Sequence, residues 1–243
     1  MERDSKGLGI VIKTDYAKTS DSIISVLTPD KGILKVYCYG SRKSLKSANA
    51  YMYTEANFSL YRKSENAIYS LKDLDVISTH DYIFESLQSI VLCSLLSEVI
   101  IKGSDPDARC YELFVDSIDG LEFYNPDLVG SVFILKYLKW AGLSGDWKIC
   151  PSCMKAYTNC EILGFSSIDR VAVCSDCDTM NMSYILPVNA RLFSARVLEL
   201  NDKDALKLRI SDEQIHRIFR YLLKTLSFVF PTPLKTMESG LFS

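Results

Sequence analysis

The first 79 residues contain short stretches with the apolar pattern of β-strands. Residues 33–39 alternate between apolar and polar positions, and the preceding turn holds Pro29, which fixes φ, and Gly32, which accepts positive φ. Five stretches have the composition of strands: residues 8–12, 22–27, 33–39, 50–61 and 67–77. Five short strands in so short a segment predict a small barrel or sandwich.

From residue 80 onward, the apolar positions recur with the period of helices. The first helix is indicated by the apolar stripe Ile83, Leu87, Ile90 and Val91, and a second helix is predicted to start at residues 105–107. A third helix is predicted over residues 126–141. A capping box at residues 211–214 opens a last helix, which ends before Pro231. Residues 126–141 are apolar on two faces, which predicts the most buried helix. The sequence therefore predicts an α+β protein with a strand-rich domain at residues 1–79 and a helical domain at residues 80–243.

The composition is that of a soluble globular protein, with 48% hydrophobic and 24% charged residues among 243. Residues 1–15 carry charges and contain no signal-peptide core. The most apolar stretch, residues 82–101, is interrupted by Glu85, Gln88 and Glu98, which favours a buried helix over a membrane span. We therefore expect a cytoplasmic protein that has no membrane contact and keeps its eight cysteines reduced.

Four of the cysteines form two CxxC pairs, Cys150/Cys153 and Cys174/Cys177. Two such pairs can supply four thiolates to one tetrahedral Zn²⁺ and leave no open position for a substrate, so the spacing predicts a structural zinc knuckle at residues 150–177. Cys160 lies between the pairs and is a weaker alternative ligand. A thioredoxin-like redox role fits poorly, because it requires a single CxxC at a strand-to-helix junction.

The charge is unevenly distributed, although the formal net charge is only −2 and the pI is about 5.8. Residues 31–63 hold seven basic residues and one acidic residue, and residues 39–47 form a serine-rich basic turn. The basic side chains of such a turn can contact the phosphates of a nucleic-acid backbone, and nearby tyrosine rings can stack on bases. The simpler interpretation is that these charged residues only form a solvated surface. The candidate DNA contacts are Lys35, Arg42, Lys43 and Lys46, and the tyrosines are Tyr37, Tyr39, Tyr51 and Tyr53.

The sequence contains no nucleotide-binding, nucleophile-elbow or metalloprotease motif. Its two histidines, His80 and His216, have no spacing that suggests a catalytic base, and His216 is expected at the surface. A nucleic-acid hydrolase would need clustered carboxylates near the basic segment, which contains only Glu55. We therefore expect a binding protein without catalytic residues.

Four stretches together resemble the RecO family of bacterial recombination mediators. Residues 21–32 are similar to its D-x-[IL]-[IV]-x-x-[LF]-T-x-x-x-G opening, and residues 39–47 to its K-G-A-R-K…S turn. Residues 131–143 resemble the family's helix before the metal segment, and the CxxC pairs occupy the place of its zinc-binding cysteines. The order and spacing of the four stretches carry the resemblance, rather than any one of them.

The resemblance implies an N-terminal OB-fold barrel, followed by an α-helical domain with an inserted Cys₄ zinc knuckle. It also implies that the protein binds single- and double-stranded DNA and anneals complementary strands. With RecR, such a protein would help to load RecA onto DNA coated by single-stranded DNA-binding protein. The resemblance further implies association with the nucleoid. Arg42 and Lys43 match the basic positions of the family's turn, whereas Lys35 and Lys46 are chosen from local charge. The turn begins Tyr-Gly-Ser instead of Lys-Gly-Ala, so one positive charge is absent. A zinc-containing adaptor that binds a protein partner is the alternative.

Overall fold

The computed structural model of the protein describes residues 4–16, 21–40, 50–64, 66–103 and 105–242. The chain divides into two compact units. The first comprises Met1–Glu85 and Gly103–Val115, and the second comprises Ser86–Lys102 and Asp116–Ser243. The domain boundary expected between residues 79 and 80 stays a prediction.

Five strands of the first unit form a closed barrel. They are β1 (Asp4–Tyr16), β2 (Ser22–Thr28), β3 (Gly32–Cys38), β4 (Glu55–Tyr61) and β5 (Tyr69–Ser78). Their order around the barrel is β1-β2-β3-β5-β4, and β1 pairs with β4 to close it. The β3–β5 pairing is parallel and covers only two residue pairs, whereas the other pairings are antiparallel. This strand order confirms the predicted OB-fold.

Alternation along the strands explains the barrel interior, because successive side chains point to opposite faces of a strand. The buried core comprises Val11, Ile24, Val26, Val36, Cys38, Ala50, Ala56, Phe58 and Leu60. The turn between β2 and β3 forms as predicted, with Gly32 at φ +62° and the Thr28 hydroxyl accepting a 3.1 Å hydrogen bond from the Lys31 amide. The intervening outward positions, such as Lys35, are exposed and available for function.

The described part of the chain after the barrel contains seven α-helices and one hairpin of regular β-strands. The helices are α1 (Leu87–Lys102), α2 (Ala108–Gly120), α3 (Pro126–Trp140), α4 (Val188–Glu199), α5 (Asp202–Leu206), α6 (Asp212–Val229) and α7 (Lys235–Glu238). The hairpin joins β6 (Leu163–Ser166) to β7 (Val171–Cys174). Over the described residues, no helix combines the length and apolar character that a membrane span requires.

Helix α3 is the central helix of the second unit, as the two apolar faces predicted. The Asn125 side chain caps its first turn by accepting a 2.8 Å hydrogen bond from the Asp127 amide, and residues 128–138 are all buried. Helix α6 packs against α3 and begins at the predicted cap, where the Ser211 hydroxyl accepts a hydrogen bond from the Gln214 amide. His216 on α6 is exposed, as expected.

The stripe predicted for the first helix is wrong. Ile83 lies in a separate 3₁₀ turn at Asp81–Glu85, and Leu87 is the first residue of α1 with 65% of its surface exposed. The helix begins only at Leu87, so residues before it do not share its period. The buried positions of α1 lie further along, between Ser89 and Ile100.

Candidate metal centre and nucleic-acid interface

The first CxxC pair lies at the turn of a small hairpin at residues 148–157. The Cys150 amide donates to the Lys155 carbonyl at 2.9 Å, and the Tyr157 amide donates to the Lys148 carbonyl at the same distance. Met154 adopts φ +60°, and its amide returns to the Cys150 carbonyl at 2.8 Å. The hairpin therefore turns sharply between the two cysteines, so that both sulfurs are held on one side.

The second CxxC pair follows the β6–β7 hairpin. Cys174 is the last residue of β7, and a 3₁₀ turn at Ser175–Cys177 brings Cys177 back toward it. The Cys174 amide points at the sulfur of Cys150, with an N–Sγ distance of 3.4 Å. This contact joins the two pairs.

The four sulfurs are gathered as a tetrahedral metal ion requires. Cys150, Cys153, Cys174 and Cys177 place their Sγ atoms within 4.8 Å of one another, and the Cys153 and Cys174 sulfurs are 3.7 Å apart. Zinc–sulfur bonds of about 2.3 Å at the centre of a tetrahedron put the sulfurs about 3.8 Å apart. The four sulfurs could therefore hold a metal ion, and all four cysteines are free of disulfides.

Cys160 does not belong to this group. Among the described residues, the sulfurs that converge are those of the two CxxC pairs, and Cys160 is exposed. The two members Cys150 and Cys174 are fully buried, whereas Cys153 is exposed. One side of the sulfur group therefore faces the interior and the other faces solvent.

The electrostatics of the group favour the thiolate of Cys150 and oppose those of Cys174 and Cys177. Burial acts to raise the pKa of Cys150, but the backbone amides of Cys174, Cys153 and Ser152 lower it to about 6. Hydrogen bonding to Cys153 and Cys174 raises the pKa of Cys177 to about 12. Four thiolates so close together repel one another, and a bound divalent cation removes that cost.

Asp178 secures the backbone after the second pair. Its carboxylate accepts hydrogen bonds from the amides of Phe165 and Met180, both at 3.0 Å, and of Met182 at 2.5 Å. Burial acts to raise the pKa of Asp178, and these amides lower it below its usual value. Asp178 could not be predicted from the sequence, because an aspartate beside a cysteine has no distinctive spacing of its own.

The outer face of β1, β2 and β3 carries the candidate nucleic-acid contacts that the structure describes. Lys35 is exposed on β3 and lies opposite Ser25 of β2, which in turn lies opposite Lys13 of β1. Lys13 forms a 2.7 Å ion pair with Asp15, whereas Lys35 has no ion-pair partner within the described ranges. The other candidates, Arg42, Lys43 and Lys46, lie outside the described residues.

Exposed tyrosines lie on the same face. The rings of Tyr37 and Tyr39 are 4.5 Å apart, and Tyr39 is 61% exposed. Tyr53, in contrast, is 2% exposed, which removes it from the stacking faces considered in the sequence.

Asp21 fixes the end of this face. Its carboxylate accepts a 2.7 Å hydrogen bond from the Tyr37 hydroxyl and another of 2.7 Å from the Gly40 amide. The hydrogen bond to Asp21 also raises the pKa of Tyr37. The chain thus leaves β3 toward residues 41–49 from a defined starting point.

A closed five-stranded barrel and a four-cysteine group in a helical unit define an OB-fold protein with a candidate metal-binding knuckle. The chain belongs to the recombination protein O family: the family's N-terminal profile matches residues 1–80, and its C-terminal profile matches residues 86–238.

Curated relatives agree with this assignment, and each of the following is named DNA repair protein RecO. The protein of Exiguobacterium sibiricum is 27% identical over 152 residues, which cover 61% of this chain and 61% of the relative. The protein of Caldanaerobacter subterraneus is 26% identical over 175 residues, covering 70% of this chain and 69% of the relative. The Bacillus pumilus protein is 25% identical over 200 residues, covering 80% and 75%. The chain thus matches less than two thirds of the length of the Exiguobacterium relative.

Proposed function

We propose that this protein acts in DNA repair as a non-enzymatic mediator that binds single- and double-stranded DNA on the outer face of β1, β2 and β3. The observation that carries the proposal is the cross-strand row of Lys13, Ser25 and Lys35 beside the exposed ring of Tyr39. Cationic side chains neutralise phosphates, and aromatic faces stack on bases, which is how OB-fold surfaces bind single strands.

The basic residues of the segment after Gly40 are proposed as further DNA contacts. Arg42, Lys43 and Lys46 follow Gly40, whose amide Asp21 holds at the edge of the face. Neutralising phosphates on two strands lowers their mutual repulsion, so that complementary bases can pair and the strands anneal. Membership of the family, and relatives named DNA repair protein RecO, support a place in DNA repair. We propose that the protein acts there with RecR, RecA and single-stranded DNA-binding protein, at the nucleoid in the cytoplasm.

We further propose that Cys150, Cys153, Cys174 and Cys177 hold one structural Zn²⁺. Four sulfur donors at tetrahedral spacing suit zinc, and they leave no position for a reacting water. The ion would join the first hairpin to the end of β7, because the first hairpin contributes two ligands and β7 with the following 3₁₀ turn contributes the other two. Its role is to stabilise this part of the second unit rather than to take part in chemistry.

Charge reversal tests the DNA surface. Arg42→Glu combined with Lys43→Glu should weaken binding to a single-stranded oligonucleotide, and each lost phosphate contact should flatten the plot of log affinity against log salt by about 0.7. Fluorescence anisotropy across a salt series measures both quantities. Unchanged affinity and slope would place the DNA surface elsewhere.

Elemental analysis tests the metal. Protein purified without chelators should contain one zinc per chain, and Cys150→Ser should lose it and unfold at a lower temperature. Cys160→Ser is the matched control, because Cys160 lies outside the sulfur group and should leave the zinc content unchanged. Zinc-free wild-type protein would refute the metal proposal and leave the DNA proposal standing.

A protein-binding adaptor is the second candidate, because apolar side chains are exposed in the cysteine-containing segment. Met154 in the first hairpin is 71% exposed, and Ile168 in the β6–β7 turn is 81% exposed. A mobility-shift assay with bare oligonucleotides distinguishes the two functions. A DNA-binding mediator retards the oligonucleotides without a partner, whereas an adaptor does not.

A further inference from the structure

Arg191 on α4 is a buried cation that contacts both ends of the first cysteine hairpin. It is 4% exposed. Its guanidinium donates through Nη1 to the Trp147 carbonyl at 2.9 Å and through Nη2 to the Thr158 carbonyl at 3.1 Å. Trp147 and Thr158 flank the hairpin that carries Cys150 and Cys153, so one side chain holds the two strands of the hairpin together at their base.

Arg191 has no carboxylate partner within the described ranges of the chain. Its two acceptors are neutral carbonyls, which satisfy hydrogen bonds but do not balance its charge. A buried guanidinium without an opposite charge is costly, and buried charges in proteins are normally paired or lie beside a metal site. The missing negative charge is the observation that requires an explanation.

Tyr157 connects this cation to the sulfur group. The guanidinium carbon of Arg191 lies 5.7 Å from the centre of the Tyr157 ring, which is a cation–π distance. The other contacts of Tyr157 include the buried cluster of Cys150, Val173 and Cys174. The ring of Tyr157 therefore contacts the Arg191 guanidinium on one side and the buried cluster that includes Cys150 and Cys174 on the other.

We propose that Arg191 is a positioning residue that also balances the charge of the metal-bound thiolates. The inference rests on the zinc site proposed above. Four thiolates and one divalent cation carry a net charge of about −2, which the protein must stabilise where Cys150 and Cys174 are buried. Arg191 supplies a buried positive charge and fixes the hairpin that presents two of the four ligands.

Neighbouring cations are exposed, so they do not supply a buried charge. Lys155 interacts electrostatically with Cys174, but it is exposed and forms a 3.6 Å ion pair with Asp176. Lys148 is exposed and pairs with Glu199 at 2.8 Å. Arg170 in the β6–β7 turn is exposed to water. Among the described basic residues of the cysteine-containing segment and the start of α4, Arg191 alone is buried.

Zinc retention by the full-length protein tests the proposal. Arg191→Met, which removes the charge and both hydrogen bonds, should weaken zinc affinity by about 10- to 100-fold, the range observed when residues that support metal ligands are replaced. Arg191→Lys keeps the charge but cannot donate to both carbonyls as the guanidinium does. Its zinc affinity should therefore lie between that of the wild type and that of Arg191→Met. The matched control is Arg196→Gln, which removes an exposed arginine of the same helix that pairs with Glu199. Competition with a chromophoric chelator measures the affinities.

Cobalt substitution separates support of the ligands from misfolding. The Co²⁺ form of each variant should show the same four-thiolate absorption bands as the wild type while it releases the metal faster. The zinc-induced rise in melting temperature should also be smaller for the variants, because the proposed role exists only when the thiolates are loaded. If Arg191→Met does not fold, Arg191→Lys decides the question by the same measurements.

Three negative outcomes are distinguishable. Wild-type protein that binds neither zinc nor cobalt contradicts the proposed metal site itself. Wild-type protein that binds zinc, together with Arg191 variants that retain it as strongly as Arg196→Gln, overturns the role of Arg191 and leaves the metal site intact. Altered cobalt bands in Arg191→Lys would also overturn it, because they would mean that the ligand set had changed.

Discussion

The ammonium group of Lys136 lies 3.0 Å from the carboxylate of Asp202, and both side chains are buried in the second unit. Lys136 also donates to the Leu200 carbonyl at 2.5 Å. Helix α3 thereby holds the start of α5 through a charge pair in an otherwise apolar interior. Removing one member of such a pair leaves the other charge buried without its opposite.

Lys136→Met should therefore destabilise the protein by about 3 to 5 kcal/mol, the usual cost of breaking a buried ion pair from one side. Urea unfolding followed by circular dichroism measures the loss. Lys139→Met is the control, because Lys139 lies one turn further along α3 with an exposed side chain that donates to the Leu198 carbonyl. Equal losses in the two variants would contradict the importance of the buried pair.

Gly164→Ala should weaken the β6–β7 hairpin. A Cβ at this position would lie 2.6 Å from the Cβ and Cγ of Asp178, which cannot move without losing its three amide hydrogen bonds. We expect a loss of about 1 to 3 kcal/mol, typical of overpacking, together with faster zinc release. Gly7→Ala serves as the control, because a Cβ there would meet nothing within 4 Å. Thermal unfolding of both variants checks the difference.

Acid should release the C-terminal helix α7 through Glu98. The Glu98 carboxylate accepts hydrogen bonds from the amides of Lys235 and Thr236 at 2.8 and 2.9 Å, and Lys102 lies 2.9 Å away. Burial acts to raise the pKa of Glu98, but these partners lower it from 4.5 to about 2. The lowered pKa means that Glu98 stabilises the fold above about pH 4.5 and that this stabilisation is lost as the pH falls toward 2.

At about 1.4 kcal/mol per pKa unit, this contribution is up to about 3 kcal/mol at neutral pH. Glu98→Gln should lower stability at pH 7 and have little effect near pH 2. Urea unfolding across this range gives the difference between the two proteins as a function of pH. A constant difference at every pH would show that the charge of Glu98 is not responsible.

Lys35→Glu should weaken DNA binding without unfolding the barrel, because Lys35 is exposed at the β3 end of the cross-strand row. The loss of one single-strand phosphate contact should reduce the salt dependence by about 0.7. Lys6→Glu makes the same charge change on β1 opposite Ser59 of β4, outside the row of Lys13, Ser25 and Lys35. Anisotropy titrations should therefore separate the two variants, and similar losses would point to a general effect of net charge.

The five strands and the OB-fold could be anticipated, because each strand has its own alternation and the family resemblance supplied the topology. The β3–β5 pairing could not be read from any local pattern. It joins Val36 to Tyr69 across more than thirty residues, and nothing in either segment specifies the other. The prediction that Ile83 and Leu87 share one helix was wrong, because the apolar spacing continues across the break between the 3₁₀ turn and α1.

At the candidate metal site, the sequence predicted the four sulfur donors but not the residues that support them. CxxC spacing is a local constraint, so it is visible in the chain. Arg191 and Asp178 act through contacts with residues that the fold brings to them, and a single arginine or aspartate carries no pattern. Lys136 lay in a segment whose apolar neighbours gave no reason to expect a buried charge.

The pairing between β3 and β5, which forms one seam of the barrel, is short and should therefore separate most easily. Only Val36 with Tyr69 and Tyr37 with Ser70 pair across it, whereas β1 and β4 pair along seven residues. Since few hydrogen bonds must break there, we expect local opening to begin between these strands. Lys35 and Tyr37 border that seam, so a small hinge-like widening would change the curvature that the barrel presents to a flexible strand or to a stiff duplex.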